Sequence, residues 1–438
     1  MTTLPHLAAA LQFVLNDTAN AAARSSGFIK RVRAFTGAQF VQTLVGTYLS
    51  CPCATTEDFV DTAASLGVSI SPQGFADRFT DTAVDCLEQV FAAALQQLLC
   101  ASPRALPIFE RFSAVFVQDT TVIRLPDALA EIWAGCGGNH AHLGAAVKAL
   151  VRLELREGQL VGPLLLDGRA SDRSACLLPR PSACSLSIAD LGFWNLQDFA
   201  SAAAEQRFWL SRCPPKLQVF DRDGQRHSLV ELLRQQPNHT CELEVELGVA
   251  QRLKARLLAE RVPEKVAQQR RKRMQADAKR KGRTLSEQNL LLAEWTVMVT
   301  NVPSELLSVQ EALALYHIRW QIELLFKLWK SEGRLEETRA ERVARVQCEV
   351  YAKLLALLCE HWLMLVSSWS EINSSPTRLV RCIHKQVQAL VEALGGAREK
   401  LEQELERVVR KLKAVRPIHR RKGAPNAYEA LLRLVPVS

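Results

Sequence analysis

The sequence predicts an α/β protein built on a mixed sheet with helices on both faces. Three observations predict this class: helical patterns before residue 105, apolar strand patterns from Ala114 onward, and an amphipathic helix pattern that includes residues 316–330. The 438 residues exceed one typical domain, so we expect several structural units. These are a helical N-terminal domain (1–105), a first part of the core (106–213), a mainly β insertion with a basic helix (214–290), a second part of the core (291–370) and a C-terminal helical module (371–438).

The N-terminal segment carries helix start signals. Thr55-Thr56 caps an amphipathic pattern that ends near Gly67, and Ser71-Pro72 starts another that runs towards Leu99. Two helices joined by a short turn with glycine are compatible with a helix-turn-helix that contacts DNA, and equally with any helical bundle.

Strand patterns begin with residues 114–121, an unbroken apolar run that ends in an acidic residue and two hydroxyls. Such a run predicts a buried strand that delivers the carboxylate of Asp119 at its tip. Residues 144–156 and 159–166 predict a hairpin around Glu157-Gly158.

A second acidic residue follows a strand pattern in residues 186–193. The alternating strand stops at Asp190, Gly192 permits a sharp turn, and Asn195 predicts the start of a helix that reaches about residue 205. Each aspartate could equally be an ordinary turn or cap residue.

The insertion is predicted because more than a hundred residues separate the strand at 207–213 from the helix at 316–330, too many for a loop. Residues 241–247 and 253–261 are strand-like, and residues 295–302 predict a strand that returns to the core. Between them, residues 264–283 carry nine cations and two acids, which predicts a basic helix or arm.

The helix pattern after residue 315 has a densely functionalised face. On a single α-helix four side chains would fall within an arc about 60° wide, beside a separate apolar face. They are Tyr316, Arg319, Glu323 and Lys330. Trp320 and Lys327 extend the same face with an aromatic ring and another cation.

A carboxylate flanked by cations and a phenol suits metal-assisted chemistry on a phosphate. The competing interpretation is an ordinary solvated face with an ion pair. The aromatic ring of Trp320 and the cation of Lys327 favour the first interpretation, because that mixture suits stacking on bases and contact with phosphates.

The spacing Tyr316, Arg319, Glu323, Lys330 resembles the signature of the DDE transposases of the insertion-sequence-four type. The resemblance implies an RNase H-like core and a triad of Asp119, Asp190 and Glu323 that binds two Mg²⁺ ions, with Mn²⁺ as a substitute. The family usually has Arg-Gly and an aromatic after the second aspartate. Here Leu191 stands in place of the Arg, a departure in a supporting residue that affects one phosphate or ion-pair contact and leaves the implied metal site unchanged.

The resemblance also implies roles for other residues in a cut-and-paste DNA transposase. Arg319 and Lys330 would hold phosphates and Tyr316 would position one. Trp295 would stack on a flipped base, as a tryptophan near this place does in some relatives. A tryptophan at a strand start is more often part of a core. The predicted DNA-binding residues also include Trp320, Lys327, Arg270, Arg271, Lys272 and Arg273.

The implied partners are double-stranded DNA, as terminal inverted repeats and target, and a second copy of the chain in a synaptic homodimer. A net charge of +9 suits a polyanionic partner. The twelve cysteines are scattered and show no paired zinc spacing, and the longest apolar stretch, 354–369, is short for a membrane span. We therefore expect a cytoplasmic, nucleoid-associated protein without a membrane partner.

Two other functions fit the same residues. One is an RNase H-like nuclease that cuts but does not join DNA, and the signature of the helix argues against it. The other is a catalytically inactive DNA-binding derivative, against which the presence of Asp119, Asp190 and Glu323 argues.

Overall fold

The computed structural model describes residues 2–32, 35–135, 144–171, 177–282, 284–285, 287–338, 340–415 and 426–434. The chain forms two compact units. The first unit comprises Met1–Ala105, Thr120–Ser171 and Ile322–Ala424, and the second unit comprises Leu106–Asp119, Asp172–Gln321 and Pro425–Ser438. The five predicted segments remain a prediction about the organisation of the chain.

The elements of both units are as follows. The helices are α1 (Leu4–Gln12), α2 (Ala19–Ser25), α3 (Gly37–Ser50), α4 (Thr56–Ser65), α5 (Pro72–Ala76), α6 (Asp81–Leu95), α7 (Pro107–Glu110), α8 (Leu196–Ala204), α9 (Leu229–Arg234), α10 (Glu264–Arg280), α11 (Glu287–Leu292), α12 (Val309–Ile318), α13 (Trp320–Ser331), α14 (Val343–Ser368), α15 (Pro376–Leu394), α16 (Arg398–Lys413) and α17 (Ala427–Leu432). The strands are β1 (Val115–Leu125), β2 (Ala145–Glu154), β3 (Leu160–Asp167), β4 (Leu186–Ala189), β5 (Phe208–Arg212), β6 (Gln218–Phe220), β7 (Arg226–Ser228), β8 (Thr240–Leu247), β9 (Leu253–Arg261) and β10 (Trp295–Thr300). A π-helical segment, Phe13–Thr18, joins α1 to α2.

The N-terminal helices begin where the sequence places their caps. Thr55 forms a capping box with Asp58 at the start of α4, and Pro72 is the first residue of α5. The predicted helix from Ser71 towards Leu99 is wrong, because the chain forms two helices there. Thr80 has extended backbone and its side chain accepts a hydrogen bond from the Ala83 backbone N–H, so a second helix, α6, starts after it.

Helix α14 is the central helix of the first unit. It packs against α3, α6, α15 and α16. In addition, α15 packs against α3, and α16 packs against α1. The predicted C-terminal helices are therefore confirmed as helices, but they share one unit with the N-terminal helices. With 26 residues, α14 is longer than the predicted apolar stretch, and its length and composition would allow it to cross a membrane. In this structure, however, 94% of its most apolar segment is buried inside the protein.

The second unit contains a mixed sheet in the order β1-β4-β5-β10-β9-β8-β6-β7. Strands β1, β4 and β5 are parallel, whereas β10 is antiparallel to both β5 and β9. In the first unit, β2 and β3 form the predicted hairpin, and the order is β3-β2-β1. The large mixed sheet flanked by helices confirms the predicted fold class, although β8 and β9 of the insertion extend the core sheet instead of forming a separate one.

His361 on α14 is a buried neutral group with a defined partner. Its Nε2 donates to the Gly158 backbone oxygen at 2.7 Å, and burial lowers the pKa of the imidazole to about 4. An unfolded chain binds a proton at this histidine near pH 6.5. The unfolded state therefore gains protons first as the pH falls, so the stability that neutral His361 contributes is present above pH 6.5 and is lost towards pH 4.

We predict that His361 accounts for a loss of about 2 kcal/mol in the free energy of unfolding between pH 7 and pH 5. His361→Gln keeps a donor that cannot be protonated, so its stability should depend less on pH. Urea unfolding of both proteins at the two pH values measures the difference. Equal losses in the two proteins would contradict the assignment.

Candidate active site

Two carboxylates lie side by side at the carboxyl ends of paired strands in the second unit. The parallel register of β1 and β4 pairs Gln118 with Ala189. The next residues are Asp119 and Asp190, and neighbouring strands lie about 4.8 Å apart. The prediction that Asp190 follows a strand is confirmed. The prediction that Asp119 ends one is wrong, because β1 continues to Leu125, although its pairing with β4 stops before Asp119.

Each aspartate has a local partner. The Nη1 atom of Arg319 lies 3.6 Å from Asp119 Oδ2, and the two side chains are only 14% and 20% exposed. Asp190 accepts a hydrogen bond from the Leu191 backbone N–H at 2.6 Å, so it caps the short 3₁₀ turn that follows β4. Leu191, which stands where the family usually has an Arg, therefore contacts Asp190 through its backbone N–H.

Tyr316 joins this cluster from α12. Burial, with the negative charge of Asp190 adding to it, raises the pKa of the phenol to about 12. The Arg319 guanidinium carbon lies 5.8 Å from the centre of the Tyr316 ring. The phenol is therefore a hydrogen-bond donor at neutral pH, held beside Asp190 and Arg319.

The single helix predicted over residues 316–330 is divided in two. Arg319 follows the last residue of α12, and its backbone N–H bonds to the Tyr316 oxygen at 3.2 Å. This bond to the third preceding residue tightens the last turn of α12, so the α-helical ladder is interrupted before Trp320 starts α13.

Within α13 the predicted polar face is confirmed. Its buried side is formed by Ile322, Leu325, Phe326, Leu328 and Trp329. At about 100° per residue, Trp320, Glu323, Lys327 and Lys330 share the other side. Trp320 is 56% exposed, Lys327 is exposed, and Glu323 is half-buried.

Lys330 is fixed within the first unit. Its Nζ donates to the Val122 backbone oxygen at 2.6 Å and to Glu336 Oε1 at 2.9 Å. The ammonium is thus positioned by strand β1 and by the segment after α13.

The carboxylates suit a hard divalent cation such as Mg²⁺, which prefers oxygen ligands. Asp119 and Asp190 supply two such ligands from adjacent strands, whereas Glu323 belongs to the first unit. Among the residues that the structure describes, no group of three or more His, Cys, Asp or Glu side chains could hold a metal ion. The convergence of Glu323 with the two aspartates stays a prediction.

The four predicted cations of α10 fall into two classes. Arg270 donates to the Trp295 backbone oxygen and to Thr296 Oγ1, both at 3.0 Å, and Arg271 pairs with Glu264 and Glu294. These two side chains hold α10 against the protein. The other two, Lys272 and Arg273, are exposed.

Trp295 lies in the core of the second unit. It is only 3% exposed, and the Arg261 guanidinium carbon lies 4.8 Å from the centre of its ring. The indole is therefore not accessible to a nucleotide in this structure. Of the two roles considered for Trp295, packing in the core and stacking on a base, the structure shows the first.

Arg212, the last residue of β5, was missed in the sequence. Strand β5 pairs with β4 in parallel, with Ser211 opposite Ala189, so Arg212 follows in register beside Asp190. Its side chain is exposed. The sequence did predict a strand over residues 207–213, which includes Arg212. A cation at the end of a strand is common, however, so Arg212 could be singled out only once the strand register was known.

Known proteins resemble this chain over most of its length. The family described as Transposase DDE domain matches residues 110–359. The transposase for insertion sequence element IS231F of Bacillus thuringiensis subsp. israelensis is 29% identical over 77% of this chain and 75% of its own length. The transposase for insertion sequence element IS1151 of Clostridium perfringens is 23% identical, over 81% of this chain and 79% of its own length.

We predict that Arg270 stabilises the fold and that Arg273 does not. Arg270→Ala removes two hydrogen bonds of a half-buried cation, so the free energy of unfolding should fall by about 1–3 kcal/mol. Arg273→Ala, on an exposed position of the same helix, should change it by less than about 0.5 kcal/mol. Urea denaturation at neutral pH measures both variants, and equal effects would show that the contacts of Arg270 contribute nothing.

Proposed function

This chain belongs to the Transposase DDE domain family, and from that premise we propose that it moves an insertion sequence by a cut-and-paste route, with Asp119, Asp190 and Glu323 as its catalytic carboxylates. The family implies the transfer or hydrolysis of phosphodiester bonds in DNA. The placement of Asp119 and Asp190 on adjacent parallel strands is the observation that carries the proposal.

The three carboxylates would hold two Mg²⁺ ions, with Mn²⁺ as a substitute. When bound, such ions activate the attacking oxygen and stabilise the leaving oxygen of an in-line displacement. Oxygen ligands of this charge fit hard cations. Glu323, half-buried on the polar face of α13, is our candidate for the third carboxylate, from its position in the signature.

The surrounding side chains would orient the DNA strand. Arg319 balances the charge of Asp119 and presents a guanidinium fork that suits phosphate oxygens. Tyr316 keeps its proton at neutral pH, because its pKa lies near 12, so it would donate a hydrogen bond and not act as a nucleophile. Lys330 would add a positive charge that Val122 and Glu336 hold in position.

A wider surface would bind the DNA duplex. Trp320 and Lys327 are exposed on α13 and suit stacking on a base and contact with a phosphate. Lys272 and Arg273 are exposed on α10 and suit contact with the backbone.

The relatives are named as transposases for insertion sequence elements, which supports terminal inverted repeats and target DNA as the substrates. A homodimer would hold two element ends together. Water would attack first, and the freed 3′-hydroxyl would then attack the opposite strand, which forms a hairpin and releases the element end. A second water would hydrolyse the hairpin and so regenerate the 3′-hydroxyl that attacks the target DNA. The protein would act in the cytoplasm, on the nucleoid.

We predict that Asp119→Asn, Asp190→Asn and Glu323→Gln each reduce Mg²⁺-dependent cleavage of an end-repeat duplex about a thousandfold or more. Each change removes a metal ligand, and bound metal supplies several kcal/mol of transition-state stabilisation. DNA binding should persist, because no phosphate-binding cation is changed. Cleavage and binding are measured on the same duplex, and a variant that still cuts would remove its residue from the triad.

Joined products distinguish transposition from simple cutting. Supplied with a cut end and target DNA, the parent protein should produce strand-transfer products. A protein that cuts but never joins would be a nuclease.

We predict that the Lys272→Gln/Arg273→Gln double variant binds DNA more weakly and with a smaller salt dependence. Each lost phosphate contact should reduce the slope of log affinity against log salt by about 0.9. Stability should be unaffected, since both side chains are exposed. Binding titrations between about 50 and 200 mM salt measure the slope. An unchanged slope would rule these residues out as contacts.

A further inference from the structure

Lys353 is a buried cation of α14 that binds the turn after α13. The residue is only 4% exposed, and its Nζ donates to the backbone oxygen of Arg334 at 2.9 Å and to that of Glu337. The centre of the Tyr48 ring lies 5.2 Å from the same nitrogen. Burial lowers the pKa of Lys353, as expected for an ammonium removed from water. Both hydrogen bonds of this buried cation therefore go to one turn of the chain.

The turn has a backbone conformation that needs support. It spans residues 334–337 and is closed by a hydrogen bond from the Glu337 backbone N–H to the Arg334 oxygen at 3.1 Å. Arg334 has a φ of 47°, in the left-handed region that residues other than glycine rarely adopt. Such a conformation persists only where the surrounding structure holds it. Lys353 binds the first and the last carbonyl of the turn, so it supports this conformation directly.

The same turn carries Glu336, which is a partner of Lys330. Glu336 Oε1 accepts a hydrogen bond from Lys330 Nζ at 2.9 Å, and the Val122 backbone oxygen accepts another at 2.6 Å. An ammonium has three N–H donors, so these two contacts leave one donor for a phosphate oxygen. The direction of that donor depends on where Glu336 lies. Contacts within the first unit therefore connect Lys353, through the turn, to Lys330.

We propose that Lys353 is a positioning residue for the reaction: it holds the turn 334–337 and, through Glu336, fixes the ammonium of Lys330 where a DNA phosphate binds. The inference rests on the proposed function, because that function supplies the phosphate. Lys353 itself does not touch the DNA, since it is buried and bonded to the turn. A displacement of about 1 Å in a group that orients the substrate can lower a rate about a hundredfold, so a small relaxation of the turn is enough.

The test measures the rate of DNA cleavage with Mg²⁺ at saturating DNA. Lys353→Met removes both hydrogen bonds but keeps an unbranched side chain, so the rate should fall about tenfold to a hundredfold. Lys353→Arg keeps a cation that can donate to carbonyls, and it should recover part of the rate. Hydrogen exchange of residues 334–337, measured without DNA, should become faster in Lys353→Met because the turn opens more often.

A double-mutant cycle separates positioning from a general loss of stability. Lys330→Gln should also lower the rate, and adding Lys353→Met to it should cause no further loss, because both changes disable the same ammonium. Glu336→Ala, at a half-buried position of the turn, should match Lys353→Met and likewise add nothing to Lys330→Gln. This variant keeps the inference testable if Lys353→Met does not fold.

Gln42→Met is the matched control, because Gln42 is another buried donor of the first unit. It is 1% exposed, and its Nε2 donates to the Leu15 backbone oxygen at 3.1 Å. The change should lower stability but leave the cleavage rate and the exchange of residues 334–337 as in the parent protein.

Three results would overturn the inference. They are a parental rate in Lys353→Met or Glu336→Ala, losses that multiply when Lys353→Met is combined with Lys330→Gln, and an equal loss in Gln42→Met. The proposed function fails separately, if Asp190→Asn still cuts DNA, since that measurement does not involve Lys353.

Discussion

The parallel register of β1 and β4 is the constraint on which the candidate site depends. It brings Asp119 and Asp190 together, and two carboxylates on strands about 4.8 Å apart repel each other unless positive charge lies close by. The protein supplies part of that charge through Arg319, 3.6 Å from Asp119. Arg212 lies in register on the other side of Asp190. A site with this charge distribution suits divalent cations bound together with a phosphate, whose charges complement the acidic and basic residues respectively.

The elements around the aspartates explain how such a site is kept in shape. Helix α12 packs against β5, which brings Tyr316 to Asp190. Helix α10 is fastened by Arg270 and Arg271, so its remaining cations are exposed on a helix that is itself held in place. Rigid support of this kind lowers the cost of ordering side chains when a substrate binds. In the first unit, bonds to a backbone carbonyl and a carboxylate hold Lys330 in the same way.

The sequence predicted the presence of helices and strands better than the points where helices divide and the register between strands. The strand before Asp190, the hairpin β2–β3 and the helix capped by Asn195 were found because each depends on local patterns of apolar and capping residues. The division between α12 and α13, and that between α5 and α6, depend on single backbone hydrogen bonds or caps within helical patterns. The position of Arg212 beside Asp190 was missed, because strand register is set by residues far apart in the chain. The burial of Trp295 agrees with the core role that is usual for a tryptophan at a strand start.

The proposed function depends above all on the proposal that Glu323 joins Asp119 and Asp190 at one metal site. Iron-mediated cleavage of the polypeptide tests it most directly: Fe²⁺ replaces Mg²⁺ in the DNA-bound protein, and ascorbate with peroxide generates radicals that cut the chain close to the bound iron. We predict cuts near all three residues and their loss in Asp190→Asn. Cuts near Asp119 and Asp190 without any near Glu323, or cuts that persist in Asp190→Asn, would contradict the claim.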